Sequence, residues 1–332
     1  MSTKFDPKIS VIRVCAMLSI IVGHWLSMQK INHFQFGAIG VEIFFFISGY
    51  LYSDRKIENG KAWLLNRWKR LILPYWIVLG WVIFLRLLFG YDVTISAAFV
   101  FSLNLQGLDK IFRNISLPVL KGMGQTWFLS VLVLCYFIML VLKKRPSIEE
   151  MIKNHKKEFF IGSIVCQILL SFVGMQIIRP LCFFYGYFWN KDKINMPVKR
   201  YCLLTLMLLT LTAARFVFHV ICDGLIVYDY IVFGWSFVVL AVWLIVTAIK
   251  LLNYIPNKLN KLVSSRAWRV LDLMTYPLFL THYMFASGEF AVTNWIENLG
   301  GQAIAFTLLT CITAFFVLLI TEYKELKNII SI

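Results

Sequence analysis

The chain alternates between long apolar stretches and short clusters of polar residues. A helix needs about 20 mostly apolar residues to cross a bilayer, and all but one of ten stretches come close to that length. The ten stretches are 9–28, 37–53, 71–89, 126–142, 158–178, 180–190, 200–219, 229–249, 270–288 and 302–321. The pattern predicts an all-α polytopic membrane protein with about ten transmembrane helices.

Two segments fit this pattern less well. The stretch 180–190 is too short to cross alone, and its start at Pro180 predicts a tight hairpin with the stretch before it. The stretch 94–106 is less apolar, and we expect a re-entrant or an interfacial segment there. No part of the chain is long enough for a soluble domain, so residues 1–332 are expected to form a single membrane domain without a fused extracytoplasmic domain.

The composition excludes a soluble globular protein. Hydrophobic residues make up 60% of the chain and charged residues 15%, against about 45–50% and 25% in soluble domains. The seven cysteines form no C-x-x-C pair, so neither a zinc site nor a disulfide framework is expected, and no metal-ligand spacing is present.

Positive charge predicts the orientation. The net charge is +16, and the basic residues lie in clusters between apolar stretches, as in cytoplasmic loops, so nucleic-acid binding is not expected. With ten spans and the N-terminus inside, the inner segments carry 25 of the 33 Lys and Arg residues and the outer loops five. Both termini are therefore predicted to be cytoplasmic.

Ionisable groups inside a membrane are costly and mark functional sites. Here they are Arg13, His24, Glu42, Arg86, Arg215, His219, Asp272 and His282. Arg13 and His24 are eleven residues apart, which places them on one helix face, roughly 16 Å apart along the axis. This pattern indicates a cation and an imidazole along one path. It also fits an arginine that reaches the membrane surface and a histidine bonded to a neighbouring helix.

The second and third stretches carry further candidates. Glu42 begins the second stretch, where a carboxylate could orient the imidazole of His24 and raise its basicity. Ser48-Gly49 in the same stretch favours close packing of two helices.

Arg67, Lys69 and Arg70 precede Pro74 and Tyr75 at the cytoplasmic start of the third stretch. Three cations there suit a phosphate-rich ligand. They are equally typical of a positive-inside anchor.

Five short motifs occur along the chain in a fixed order. They are Arg13 and His24 with ten residues between them, the run Gly40 to Leu51 (GVEIFFFISGYL), Arg67 and Arg70 followed by Pro74 and Tyr75, Trp127-Phe128-Leu129, and the segment Tyr276 to His282. Together they resemble the acyltransferase family 3 membrane proteins, the bacterial integral-membrane O-acyltransferases. The resemblance covers essentially the whole chain.

The chain departs from the family pattern at three positions. Lys69 stands where many members carry a second arginine of an R-x-R motif, which keeps the charge but loses a bidentate fork. Pro277 and Phe279 replace the usual serine and tyrosine beside His282.

The resemblance implies transfer of an acetyl group from cytoplasmic acetyl-CoA to a hydroxyl of a cell-surface or capsular polysaccharide, or of its lipid-linked precursor. It implies a multi-pass protein of the bacterial cell membrane, in contact with membrane lipid and served by separate polysaccharide-assembly proteins. His24, Arg13, Glu42 and His282 would be catalytic. Arg67, Lys69, Arg70 and Tyr75 would bind the donor. No metal would be required.

Other functions stay open from the sequence. One is acyl transfer from another acyl-CoA or to another acceptor. A second is a transporter or flippase for a lipid-linked saccharide, in which the buried charges would line a path. A third is a non-catalytic partner or sensor.

Overall fold

The structure is a computed structural model that describes residues 6–31, 36–189, 197–221 and 234–330. In this part of the chain the secondary structure is helical, without a β-strand. The α-helices are α1 (Pro7–Met28), α2 (Phe36–Tyr52), α3 (Gly60–Leu88), α4 (Ile95–Ser102), α5 (Trp127–Lys143), α6 (Pro146–Asn154), α7 (Lys156–Phe172), α8 (Ile178–Tyr187), α9 (Val198–Ile221), α10 (Gly234–Asn253), α11 (Pro256–Ser264), α12 (Arg266–Ala286), α13 (Leu299–Thr321) and α14 (Tyr323–Ile330).

Each predicted apolar stretch overlaps a helix in the described residues. Helix α7 ends at Phe172, six residues before the end of the stretch 158–178, and residues 190 and 229–233 lie outside the described part. Within the described residues, five helical segments are long and apolar enough to cross a membrane: Pro7–Met28, Gly60–Leu88, Gly124–Lys143, Gly234–Asn253 and Leu299–Thr321. The prediction of an all-helical membrane protein is confirmed at this level. The side chains of Arg215 and His219, which the sequence marks as intramembrane groups, lie outside the described part.

Polar residues set where the helices begin. The Asp6 side chain accepts a hydrogen bond from the Lys8 amide, and Pro7 occupies the first turn of α1, a position where proline costs no hydrogen bond. Asn59 caps α3 in the same way. Such caps satisfy amides that the helix itself cannot.

The stretch 94–106 folds back along α3. The hydroxyl of Tyr75 donates to the Phe101 carbonyl at 2.5 Å, and Trp76 Nε1 donates to the Ser102 carbonyl at 3.0 Å. Tyr75 lies thirteen residues and Trp76 twelve residues before the end of α3 at Leu88. With eight residues, α4 is too short to cross a bilayer. Of the two predictions for this stretch, these contacts favour the re-entrant one.

A network of hydrogen bonds and ion pairs around Glu149 joins α5, α6 and α8. Glu149 on α6 accepts hydrogen bonds from Lys143 at 3.3 Å and Tyr187 at 2.9 Å, and it pairs with Lys153 at 2.7 Å. Burial alone would raise the pKa of Glu149, but hydrogen bonds from Lys153 and Tyr187 and the charge of Lys143 hold it below its ordinary value. A charged Glu149 thus ties three helices together.

Helix α2 lies in the centre of the bundle, between α1, α8 and α10. Its backbone almost touches that of α8. A Cβ atom on Gly49 would lie 1.9 Å from the Phe183 carbonyl oxygen, and one on Gly186 would lie 2.0 Å from that of Phe46. Small residues permit such contact in membrane bundles. The close packing predicted at Ser48-Gly49 is confirmed.

We expect Gly186→Ala to destabilise the protein by about 1–3 kcal/mol, the typical cost of overpacking a filled site. Its matched control is Gly162→Ala on α7, where a Cβ atom would meet nothing within 4 Å and alanine favours the helix. The midpoint of thermal unfolding in detergent measures both. A Gly186→Ala midpoint equal to that of Gly162→Ala would contradict the close approach of α2 and α8.

Candidate functional site

Two predicted histidines meet between α1 and α12. The ring centres of His24 and His282 are 5.2 Å apart. The Tyr283 ring stands edge-on to His24, with the centres 4.8 Å apart. His24 is half-buried and His282 is fully buried. The structure therefore brings together two imidazoles that are separated by most of the chain.

The hydrogen bonding of His282 leaves one ring nitrogen without a partner. Nδ1 lies 3.0 Å from the Leu278 carbonyl oxygen, one helical turn earlier. A carbonyl oxygen can only accept, so we assign the proton of the neutral ring to Nδ1. Nε2 then carries the lone pair, and it has no hydrogen-bond partner. This nitrogen is enclosed by protein, so it can accept a proton from a neighbouring group inside the bundle.

Arg13 is paired with a carboxylate that had no assigned role. Its Nε donates to Asp272 Oδ1 at 3.1 Å, and its Nη2 donates to Asp272 Oδ2. The Arg13 side chain is 36% exposed and that of Asp272 10%. Two parallel hydrogen bonds make this a forked ion pair, the strong geometry for arginine and carboxylate.

The ion pair and the histidines belong to the same pair of helices. Arg13 and His24 lie on α1, and Asp272 and His282 lie on α12. The two spacings, eleven and ten residues, correspond to rises of roughly 16 and 15 Å. The helices therefore run in the same direction, with the ion pair at one level and the imidazoles at the other.

Glu42 has a different partner from the one that the sequence predicts. Its Oε1 lies 3.6 Å from Arg179 Nε, and the Arg179 guanidinium lies over the Trp127 ring, 4.4 Å from its centre. Glu42 Oε2 forms no hydrogen bond. The carboxylate thus joins α2 to the first turn of α8, and Trp127 holds the cation from the other side.

The predicted pairing of Glu42 with His24 is not found, and depth explains why. Gly40 packs against Ser19 and Ile20 of α1, and α2 runs back from there in the opposite direction to α1. Measured along the axis of α1, Glu42 therefore lies roughly 10 Å from the level of His24, towards the Arg13 end of that helix.

The three predicted donor-binding cations lie two to three turns into α3, which begins at Gly60. The Arg67 guanidinium lies over the rings of Tyr52 and Trp63, 5.0 and 5.8 Å from their centres. Lys69 is exposed. Arg70 pairs with Glu325 on α14 at 3.4 Å, and both side chains are about half exposed. Lys69 and Arg70 are thus exposed, and Arg67 is partly exposed.

Tyr75 does not belong with these cations. Its side chain is fully buried, and its hydroxyl is used in the hydrogen bond to Phe101 that anchors α4. The predicted role in donor binding would need an accessible ring or hydroxyl. Tyr75 lies on the buried face of α3 with Ile72, Val78 and Val82, whereas its neighbour Trp76 is exposed, so Tyr75 serves the packing of the bundle.

The sequence leaves three members of this region without a predicted role. Asp272 has the signal of an intramembrane charge, and Tyr283 has a signal because it directly follows His282. Arg179 lies just before the apolar stretch 180–190 and has no such signal. The partners of Asp272 and Arg179 are distant in sequence, so no local pattern predicts these pairs. Among the described residues no group of three or more His, Cys, Asp or Glu side chains could hold a metal ion.

Comparison with known proteins gives the family. The model of the acyltransferase 3 family, described as an acyltransferase domain, matches residues 6–322. No curated protein and no solved structure matches the chain. The match spans every described helix from α1 to α13, including both histidines, the Arg13–Asp272 pair and the cations of α3. The chain belongs to the acyltransferase 3 family and is a membrane acyltransferase.

Proposed function

We propose that the protein is an O-acetyltransferase that moves an acetyl group from cytoplasmic acetyl-CoA to a hydroxyl of a cell-surface or capsular polysaccharide, or of its lipid-linked precursor. The observation that carries this proposal is the contact between His24 and His282, with Nε2 of His282 free of any partner. Hydroxyl acylation by a thioester needs a base at the reacting oxygen more than any other group.

The proposed reaction uses these two rings. An imidazole nitrogen accepts the proton of the acceptor hydroxyl as its oxygen attacks the thioester carbonyl carbon. The carbon–sulfur bond then breaks, and the CoA sulfur leaves and takes that proton. His24, the more exposed ring, faces the substrate, and buried His282 supports it or shares the proton. A route in which His24 first accepts the acetyl group uses the same two rings.

The donor site is proposed at the three cations of α3. Arg67, Lys69 and Arg70 would bind the CoA phosphates there by charge-assisted hydrogen bonds. Stacking on Tyr52 and Trp63 would hold the Arg67 plane in place while leaving its N–H edge free. The pantetheine arm, a chain on the order of 15 Å long, would carry the thioester past Arg13 towards His24, a rise of roughly 16 Å.

For this reaction we propose ten membrane spans with both termini in the cytoplasm of a bacterial cell. The cations of α3 then face the cytoplasm, where acetyl-CoA is found, and His24 lies in the outer half of the membrane. The acceptor would be modified at the outer face, and separate assembly proteins would deliver the glycan. Glu42 and Arg179, which pair between α2 and α8, would hold together the helices that frame the site.

We expect His24→Ala and His282→Ala each to lower acceptor-dependent release of free CoA thiol from acetyl-CoA by about 100-fold or more, the usual range for loss of a general base. The matched control is His155→Ala, an exposed histidine between α6 and α7. Near-normal release by either variant would remove that ring from the mechanism. Saccharide movement without thiol release would instead indicate a transporter.

The Arg13–Asp272 pair allows a separate test of Arg13. Asp272→Asn should cost on the order of 2 kcal/mol by leaving a partly buried cation unpaired. The double variant Arg13→Met/Asp272→Leu should regain thermal stability because no charge remains. We expect it to stay inactive, since Arg13 is proposed to steady the thioester. Recovery of activity together with stability would show that the pair only holds the helices together.

Sidedness is tested in proteoliposomes loaded with the cells' own surface polysaccharide after alkaline removal of its O-acetyl groups. Radiolabelled acetyl-CoA added outside should label the enclosed polysaccharide, because donor and acceptor are proposed to enter from opposite faces. Polysaccharide placed outside with the donor should stay unlabelled until detergent opens the vesicles. Labelling only when both are outside would overturn the cross-membrane arrangement but not the transferase activity.

A further inference from the structure

A cavity of about 900 Å³ lies between α7, α8, α9 and α10, away from the histidines. We refer to it as the α7–α10 cavity. Its walls are mainly apolar and aromatic, with Phe160, Tyr185, Leu204, Met207, Trp235 and Val239 among the lining residues. This volume is at the upper end of ligand-binding pockets. Neither the proposed donor site nor the histidine pair uses it.

The helices on either side of the cavity face lipid. Ile161 and Leu169 on α7 are more than half exposed, and so are Leu203 and Leu206 on α9. In a membrane such surfaces are in contact with acyl chains rather than water. A cavity between two lipid-facing helices is therefore within reach of molecules dissolved in the bilayer.

One end of the cavity is strongly basic. Lys153, Lys156, Lys157 and Arg200 line it, against the single carboxylate of Glu158. Lys153 is paired with Glu149. Lys157 and Arg200 are exposed, and neither forms an ion pair with another described residue. An apolar cavity that ends at unpaired cations is complementary to an anionic amphiphile.

A buried polar group lies in the cavity wall, far from the cations. Trp235 is buried, and its Nε1–H has no hydrogen-bond partner. Tyr201, which follows Arg200, hydrogen-bonds to Thr247 on α10 at 2.9 Å. Trp235 precedes Thr247 by twelve residues, so the indole lies roughly 18 Å along α10 from the Arg200 level. The deep part of the cavity therefore has this indole among apolar and aromatic side chains.

We propose that the α7–α10 cavity binds one anionic glycerophospholipid from the membrane leaflet on the Lys157 side, the cytoplasmic one in the topology proposed above. The phosphate contacts Lys157 and Arg200, and the acyl chains follow Leu204, Met207 and Val239. A nucleotide such as CoA fits less well. Its ribose and base would need polar partners where the walls are apolar.

The test measures lipid retained by the full-length protein, without any acyl transfer. Protein is equilibrated in mixed micelles with equal amounts of phosphatidylglycerol and phosphatidylcholine, and bound lipid is counted by native mass spectrometry. The wild type should prefer phosphatidylglycerol. Lys157→Gln/Arg200→Gln should reduce that preference by about fivefold for each cation removed.

Two further variants keep the proposal falsifiable. Lys258→Gln/Lys261→Gln removes the same charge from α11, outside the cavity, and should leave the preference unchanged. Met207→Trp keeps every charge but fills the cavity, and should reduce retention of both lipids. Equal loss of preference in the two charge variants would show that only net charge matters.

Two competitors separate this proposal from other ligands of the same charge. Millimolar inorganic phosphate should not displace phosphatidylglycerol, because the acyl chains supply most of the binding. Excess CoA should not displace it either. Displacement by either competitor, with loss of that competitor's binding in Lys157→Gln/Arg200→Gln, would overturn the lipid site. Displacement by CoA would make the cavity a donor entrance.

Discussion

The forked ion pair between Arg13 and Asp272 sets the register on which the site depends. In a bilayer, apolar helix faces gain little from meeting each other rather than lipid, so polar contacts and close packing decide how helices align. Sliding α12 by one turn along α1 would break two charge-assisted hydrogen bonds and leave both charges unpaired. The same sliding would separate His24 from His282. A structural contact at one level therefore positions the reactive groups at another.

The second constraint is the backbone contact of α2 with α8. Gly49 and Gly186 let these helices approach until no side chain fits between them. This contact brings Arg179 to Glu42 and holds the cation against Trp127. It also fixes the distance between two parts of the bundle, because α2 packs on both α1 and α8, and α12 packs on α1.

This division separates the proposed lipid cavity from the proposed reaction. One wall of the α7–α10 cavity is formed by α8, which packs on α2, and α2 packs on α1. A lipid there would not reach His24. It would instead fill the space between α7 and α9, and its phosphate would hold the basic ends of these two helices together.

The sequence by itself determined the helices, the membrane setting, the shared face of Arg13 and His24 and the cations of α3, because helix periodicity and apolar length are local properties of the chain. Only the tertiary structure decided which groups meet. In the fold His24 contacts His282, and Arg13 pairs with Asp272. Glu42 pairs with Arg179 instead of His24, and Tyr75 is buried with its hydroxyl bonded to α4. Each of these contacts joins segments far apart in the chain, and its geometry depends on depth and rotation of packed helices, which no single stretch of sequence specifies.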